Sequence, residues 1–270
     1  MERFSKYHGL GNDFVVIDRL DGGAALTSEA VVKMCDRHRG VGADGVLTVW
    51  PLESGHGRMQ IQNADGSESE NCGNGLRCVA AYLHESGRYS EDELILGAHE
   101  SLYPTTRVAA GRYQVRMGPA RIGTPDLPDW GRDTHRFQNS GVEWRGVAVN
   151  FGNPHLVMFV DDDPMHLATH FGAALEADPA FPKRVNASFV RHQGSTFQTV
   201  VYERGVGITQ ACGSGACAVG NAAVWTGRAG TEEPLAVKLP GGTLTITVVG
   251  DSTTLMEGDA ARAFVGELSL

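Results

Sequence analysis

No run of about 18 apolar residues occurs in this chain of 270 residues, so no transmembrane helix is expected and no membrane partner. Its first residues, Met1-Glu-Arg-Phe-Ser-Lys-Tyr-His8, lack the apolar stretch of a secretory signal. Basic charge is scarce. The 23 Lys and Arg against 32 Asp and Glu leave a net charge of −9, which argues against nucleic acid as a partner. Lysine itself is rare: Lys6, Lys33, Lys183 and Lys238 are all there is, and none stands in a phosphate-binding loop. A pyridoxal enzyme is therefore disfavoured, and no cofactor is expected. No Cys-x-x-Cys occurs, which weakens a thioredoxin-like reading. Five cysteines without a signal imply a cytoplasmic protein that keeps its thiols reduced, not a disulfide framework. What remains is ordinary for a globular protein with a sizeable core: 41% hydrophobic and 20% charged residues, enough for one large domain or two of about 130.

Two of the cysteines stand in near-copies of one segment, 140 positions apart (212 − 72). The first runs from Asn63-Ala-Asp-Gly66 to Cys72-Gly-Asn-Gly75, and the second from Glu203-Arg-Gly-Val-Gly207 to Cys212-Gly-Ser-Gly215. The likeness extends upstream. Gly11-Asn-Asp-Phe14 and its following apolar run align with Gly152-Asn-Pro-His155 at an offset of 141, and Val41-Gly-Ala-Asp-Gly-Val46 lies near Val185-Asn-Ala-Ser-Phe-Val190 at 144. In both halves the order is strand, helix, polar loop, strand, cysteine loop, helix. A tandem duplication of one α+β unit is the simplest account.

The apolar, β-branched runs 13–18 and 156–160 read as strands. Thr27 or Ser28 caps a helix to about residue 38, and Asp163-Pro164 starts its partner with proline in the first turn. Residues 59–62 and 199–202 lead as strands into the cysteine loops, and 75–84 and 215–225 read as largely buried helices. Strands follow at 112–117, 235–239 and 243–249, and the Pro- and Gly-rich stretch 118–141 reads as the connection between domains. The expected domains are residues 1–118 and 119–262, with 263–270 a candidate to return to the first.

The cysteines carry the chemistry. A thiol works as acid or base only when its pKa is near ambient pH, and a helix N-terminus lowers it by favouring the thiolate. Cys72 and Cys212 both stand at such starts. The glycines after them let the backbone come close to a ligand and turn N–H groups outward, a setting for a carboxylate. Two thiols and two nests suit proton removal on one face of an α-carbon and delivery on the other, which inverts a stereocentre. Cys35, Cys78 and Cys217 read as small packed hydrophobes. The spacings Cys72-x5-Cys78 and Cys212-x4-Cys217 are not those of a zinc ribbon, so no metal is expected. Asn12, Asn63, Asn153 and Asn186 stand at strand ends or loops that the repeat places near the cysteines. Glu203 and Arg204 suit an ammonium and a carboxylate, and His155 is placed to orient or tune a thiol.

These motifs resemble the diaminopimelate epimerase family, in order and with similar spacing from about residue 6 to residue 265: His8-Gly-Leu-Gly-Asn-Asp-Phe14, Asn63-Ala-Asp-Gly66, Cys72-Gly-Asn-Gly-Leu-Arg-Cys78, Gly152-Asn-Pro-His155, and Glu203-Arg-Gly-Val-Gly207 through Cys217. The resemblance implies an α+β fold of two similar domains, each an antiparallel barrel around a central helix, with the site in the cleft between them. It implies cofactor-free conversion of LL-diaminopimelate to the meso form, for lysine and peptidoglycan synthesis. Cys72 and Cys212 match the catalytic bases. Gly73-Asn74 and Gly213-Ser214 match the pairs that hold the reacting carboxylate. Asn63, Asn186 and Arg204 match contacts to the distal centre, Asn12 and Asn153 further substrate positions, and Glu203 and His155 residues that modulate the thiols. The expected partner is diaminopimelate, and a homodimer is one possible assembly. Three places depart from the family pattern: Ile208 where Glu is common, Ala98-His-Glu-Ser101 in a turn, and Gly258-Asp259 near the end. A proline or hydroxyproline racemase or dehydratase, which shares a cysteine pair, is the rival enzyme reading. A thiol-dependent structural or zinc protein is the rival outside catalysis.

Overall fold

The computed structural model describes residues 1–68, 73–250 and 252–269; Cys72 lies outside them. In chain order the elements are β1 (Glu2–Gly9), β2 (Asn12–Asp18), α1 (Ser28–Cys35), β3 (Gly45–Trp50), β4 (Gly57–Asn63), α2 (Gly73–Glu85), β5 (Glu93–Ala98), β6 (Ser101–Ala109), β7 (Arg112–Pro119), β8 (His135–Asn139), β9 (Val142–Asn150), β10 (Pro154–Phe159), α3 (Pro164–Glu176), β11 (Asn186–Gln193), β12 (Thr196–Glu203), β13 (Gly207–Ile208), α4 (Gly213–Trp225), β14 (Pro234–Leu239), β15 (Gly242–Val249), β16 (Thr253–Asp259) and β17 (Ala261–Leu268). The mix is four helices and mostly strands among the described residues.

Two compact units result, one of Met1–Arg116 with Glu257–Leu270 and the other of Met117–Met256. Within the first, β17 pairs antiparallel with β1 and β1 with β2. Then β2 runs parallel to β3, β3 antiparallel to β4, β4 parallel to β5 and β5 antiparallel to β6. The second repeats this with β8, β9, β10, β11, β12, β14 and β15 in the same sense at every step. The C-terminal strand thus takes in the first unit the place that β8 takes in the second.

The strand registers also measure the repeat. Phe14 faces Gly45 and His155 faces Asn186, so both strands shift by 141 (155 − 14 and 186 − 45). The offset of 144 expected between residues 41–46 and 185–190 is corrected: β11 begins level with Gly45. Gly11 and Gly152 are matched as well, with φ of 83° and 86°, a conformation that glycine adopts without strain. Each sets the turn beside a site asparagine, Asn12 or Asn153.

Local signals placed the outer helices. The Thr27 hydroxyl accepts from the Ala30 amide and Asp163 accepts from the Met165 amide, so each orphan end is capped in the expected way. The first helix stops at Cys35, short of residue 38. Its apolar face, Val31 and Met34, packs with Val15, Ile17 and Val46; Ala168 and Leu175 of α3 pack with Trp144, Phe189 and Val200. The later helices are apolar nearly all round and are buried nearly all round, from Gly73 to Ala81 in α2 and from Gly215 to Ala223 in α4. Among the strands, α2 touches β1 to β6 and β17, and α4 touches β9 to β12, β14 and β15. Each fully buried side chain there, such as Leu76 or Val219, contributes about 1.5–3 kcal/mol. The stretch 118–141 is no linker: Leu127 and Trp130 join the second unit's core, and β8 pairs with β9.

One buried ion pair makes the stability of the first unit depend on pH in acid. Lys6 is buried and its Nζ lies 2.5 Å from Asp13 Oδ2, while Arg37 holds Oδ1 at 2.7 Å. Burial works against the Asp13 charge, but Arg37 and Lys6 outweigh it and hold the carboxyl at about 2, below its ordinary 3.8. A depressed carboxyl stabilises the fold fully above 3.8 and loses that contribution as pH falls through about 2. Thermal unfolding followed by circular dichroism should therefore show a midpoint that drops across this window. Asp13→Asn, less stable at neutral pH, should drop less across it; an equal drop would rule this pair out as the cause.

Candidate active site

In the second unit the site grows from the end of β12 and the start of α4. Cys212 is the N-cap of α4, with extended φ and ψ of −123° and 104°, and its carbonyl takes the first helical bond, from the Ala216 amide at 3.0 Å. The amides of Gly213 and Ser214 have no carbonyl to reach within the helix. The Gly215 amide bonds to the Cys212 sulfur. A Cβ on Gly215 would stand 3.1 Å from that sulfur and 3.2 Å from Val201 Cγ2, so glycine is what permits the approach. Among the described residues the Gly213 and Ser214 amides meet no backbone acceptor, and they stand at the helix end that carries the thiol.

The thiol itself departs from expectation. Burial pushes the Cys212 pKa well up, and the Glu203 carboxylate, which accepts from the thiol, adds to the rise. The Gly215 amide and Ser214 hydroxyl pull the other way and are outweighed. The helix end does not make Cys212 a resting thiolate: it is a thiol at neutral pH. Glu203, last residue of β12, also accepts from the Thr209 hydroxyl across the short β13 turn. Ile208 pairs with Tyr202 and is exposed, so the carboxylate beside this thiol comes from Glu203 whatever stands at 208.

His155 is fully buried on β10. Its Nε2 lies 2.9 Å from Asn153 Oδ1 and 3.0 Å from Ser214 Oγ, and Ser214 Oγ lies 3.7 Å from the Cys212 sulfur. Burial, then the nearby charge of Arg204, holds the imidazole pKa down at about 3, so it is neutral. It reaches Cys212 through Ser214. Asn186 is buried at the head of β11; its Nδ2 donates to the Pro154 carbonyl and its Oδ1 accepts from the Arg204 amide, both at 2.9 Å. Its first duty is to hold the turn that carries Arg204. Glu176, buried at the end of α3, completes this by accepting from the Gly205 amide at 3.0 Å. The Arg204 guanidinium donates to the Lys183 carbonyl at 3.2 Å and meets no carboxylate among the described residues.

In the first unit Gly73 and Asn74 begin α2 and are buried. Asn74 Nδ2 donates to Asn12 Oδ1 at 3.2 Å. Asn63 closes its own turn, with Nδ2 donating to Ser67 Oγ at 3.0 Å. Cys72, the other candidate base, lies outside the described residues. Cys35, Cys78 and Cys217 are buried thiols. Sequence reading passed over Asp44 and Arg77, which bond to Asn12 and Asn74, and over Glu176. Asp44 and Arg77 do stand inside the motifs quoted above; Glu176 carries no local signal. A cavity of about 570 Å³ bounded by Arg3, Asp18, Arg19 and Arg88 shares no residue with these loops, and its arginines are all paired with carboxylates.

The family model described as diaminopimelate epimerase matches residues 4–123 and 147–263. Diaminopimelate epimerases of Synechococcus elongatus and Bacillus licheniformis are 39% and 36% identical, over 99% and 98% of this chain and 98% and 97% of theirs. Among solved structures, a predicted epimerase from Pseudomonas aeruginosa has a TM-score of 0.71 at 19% identity, covering 99% of both chains. A hydroxyproline epimerase from Agrobacterium vitis with bound trans-4-OH-L-proline also reaches 0.71, at 14% identity over 98% of this chain and 91% of that one. Likeness at such identities speaks to the fold; the full-length sequence matches speak to the family. This chain belongs to the diaminopimelate epimerase family.

Proposed function

We propose that the chain inverts one centre of diaminopimelate by a two-base thiol mechanism, taking LL-diaminopimelate to the meso form, with Cys72 and Cys212 as the bases. Membership of the family makes it a pyridoxal-independent amino-acid epimerase of lysine biosynthesis. The observation that carries the mechanism is the buried Cys212 thiol at the N-cap of α4, against the Ser214 hydroxyl and the Glu203 carboxylate. An α-proton is hard to remove from an amino acid. Donors fixed on the carboxylate stabilise the charge that develops as it leaves. Gly213-Ser214 and Gly73-Asn74 are read as those donors.

One thiol must begin as base and the other as acid. Cys212 begins as the acid, because burial and Glu203 keep its proton on. Cys72 is then the base in that direction, and the roles exchange in the reverse. Once ionised, Cys212 is a strong base for the same reasons. Asn63, Asn186 and Arg204 are assigned to the distal centre, and Asn12 and Asn153 to further contacts. The neutral His155 is read as holding Ser214 and Asn153 in place, and so tuning Cys212 through Ser214. An arginine that meets no carboxylate among the described residues favours a substrate with a second amino-acid end over proline or hydroxyproline. Each unit is read as a barrel around its buried helix, which the strand contacts of α2 and α4 support. Cytoplasmic residence goes with the reading, since the thiols must stay reduced.

The test is proton NMR in D₂O. The protein should carry deuterium into one α-position of LL- or meso-diaminopimelate, and no exchange from either would sink the proposal. Glu203→Gln tests the thiol assignment. Removing the anion lowers the Cys212 pKa, so the thiol ionises earlier as pH rises. The alkaline limb of kcat/KM, in the direction where Cys212 is the acid, should move to lower pH. An unmoved limb would take Glu203 out of this role.

A further inference from the structure

The contact between Asn12 and Asn74 ends on a charge at each side. Arg77 Nη2 donates to Asn74 Oδ1 at 2.8 Å, Asn74 Nδ2 to Asn12 Oδ1 at 3.2 Å, and Asn12 Nδ2 to Asp44 Oδ2 at 2.9 Å. A side-chain amide has no intrinsic preference for either way round. Here a cation selects the carbonyl of Asn74, an anion selects the amino group of Asn12, and the two choices agree. Turning either amide over would set an amino group against a guanidinium or a carbonyl against a carboxylate.

Both ends are held in turn. Asp44 Oδ2 also accepts from the Asp13 amide at 3.1 Å, and Oδ1 accepts from Arg37 at 2.8 Å. Arg37 grips Asp13 at 2.7 Å, and Asp13 pairs with the buried Lys6. Arg77 is fully buried, and a Cβ on Gly9 would come within 3.0 Å of its Nη2, so it has little room to move.

We propose that Asp44 and Arg77 are positioning residues that lock the Asn12–Asn74 amide pair in one orientation, so that Asn12 offers an N–H to a substrate carboxylate. Of the two amino hydrogens of Asn12, Asp44 takes one and leaves the other. The inference rests on the assignment of Asn12 as a substrate contact. The repeat supplies independent support. In the second unit Asn153 and Ser214 occupy the matched places and are joined as well, through His155. Yet Val185 stands where the register puts Asp44, and Cys217 where it puts Arg77. The link persists where the charges that fix it do not, which points to the linked groups as the feature both units need.

The experiment is a double-mutant cycle between Asp44→Asn and Asn12→Ala, read as kcat and KM for diaminopimelate with unfolding temperature alongside. Asp44→Asn keeps the shape but removes the charge that selects the amide. It should lower kcat/KM by roughly 10- to 100-fold, the size of a hydrogen bond to a charged group. In the Asn12→Ala background the same change should cost less than about twofold, because the group it positions is gone. Arg37→Gln, on a half-exposed side chain, should show a smaller loss with the same dependence on Asn12, with its unfolding temperature read alongside. It keeps the test open if Asp44→Asn fails to fold. Equal losses in both backgrounds, or no loss in either, overturn the positioning role. A wild type that fails to exchange the α-proton of diaminopimelate is a different failure: it removes the functional reading, and this inference with it.

Discussion

Cys212→Ala is expected to end epimerisation while leaving the fold intact. The side chain is small and buried at the N-cap of α4, and the one bond it gives the helix end, from the Gly215 amide to its sulfur, is a weak one. Unfolding temperature and circular dichroism should stay close to wild type. Turnover should not. A positioned acid or base contributes about 10²–10⁴-fold. Among the described residues beside it the imidazole of His155 cannot take over, since it stays neutral down to about 3. A loss of at least about 10³-fold in kcat is expected in both directions. The remaining base separates this from general damage. A lone thiolate can still take an α-proton and return deuterium to the same face. The variant should therefore exchange one stereoisomer in D₂O without inverting it. Cys72→Ala should show the complementary pattern with the other stereoisomer. Near-wild-type turnover in either variant would overturn the pair, and a variant that neither exchanges nor inverts would show that the damage reaches beyond the missing thiol.

How much of this was legible depended on how local its cause was. Caps are local, so the starts of α1 and α3 could be read from Thr27 and from Asp163-Pro164. The buried helices after the cysteines follow from their unbroken apolar and small residues. The offset between β3 and β11 could not be read. Gly45 and Asn186 share no side-chain chemistry, and only the parallel register with β2 and β10 identifies them as partners. The stretch 118–141 misled because proline and glycine mark turns wherever they occur; Leu127 and Trp130 show their role only against the core they join. The state of Cys212 is the sharpest case. The helix end that favours a thiolate is visible in Cys-Gly-Ser-Gly, whereas burial and the Glu203 carboxylate that override it come from packing. The same holds for Glu176, whose carboxylate meets the Gly205 amide 29 positions away in the chain.

Arg204→Lys is expected to lower kcat/KM for diaminopimelate by roughly 10- to 100-fold with little change in stability. The neighbouring cations are spoken for, Lys183 by Asp126 at 3.0 Å and Arg184 by Glu176. Arg204 spends one donor on a carbonyl and has no carboxylate partner among the described residues. Its backbone is fixed on both sides, by Asn186 at its own amide and by Glu176 at the next. A turn held this firmly presents the guanidinium at small entropic cost, which suits two-point recognition of the distal carboxylate. Lysine keeps the charge but loses the planar fork. The distal end does not react, so its binding energy acts on orientation, and misplacement should appear in kcat as well as KM. A substrate without that carboxylate isolates the effect. Lysine offered as substrate should be poor for the wild type and should lose little further in the variant. Unchanged diaminopimelate turnover in Arg204→Lys would return Arg204 to the role of a surface charge, and the assignment of the distal site would fall with it.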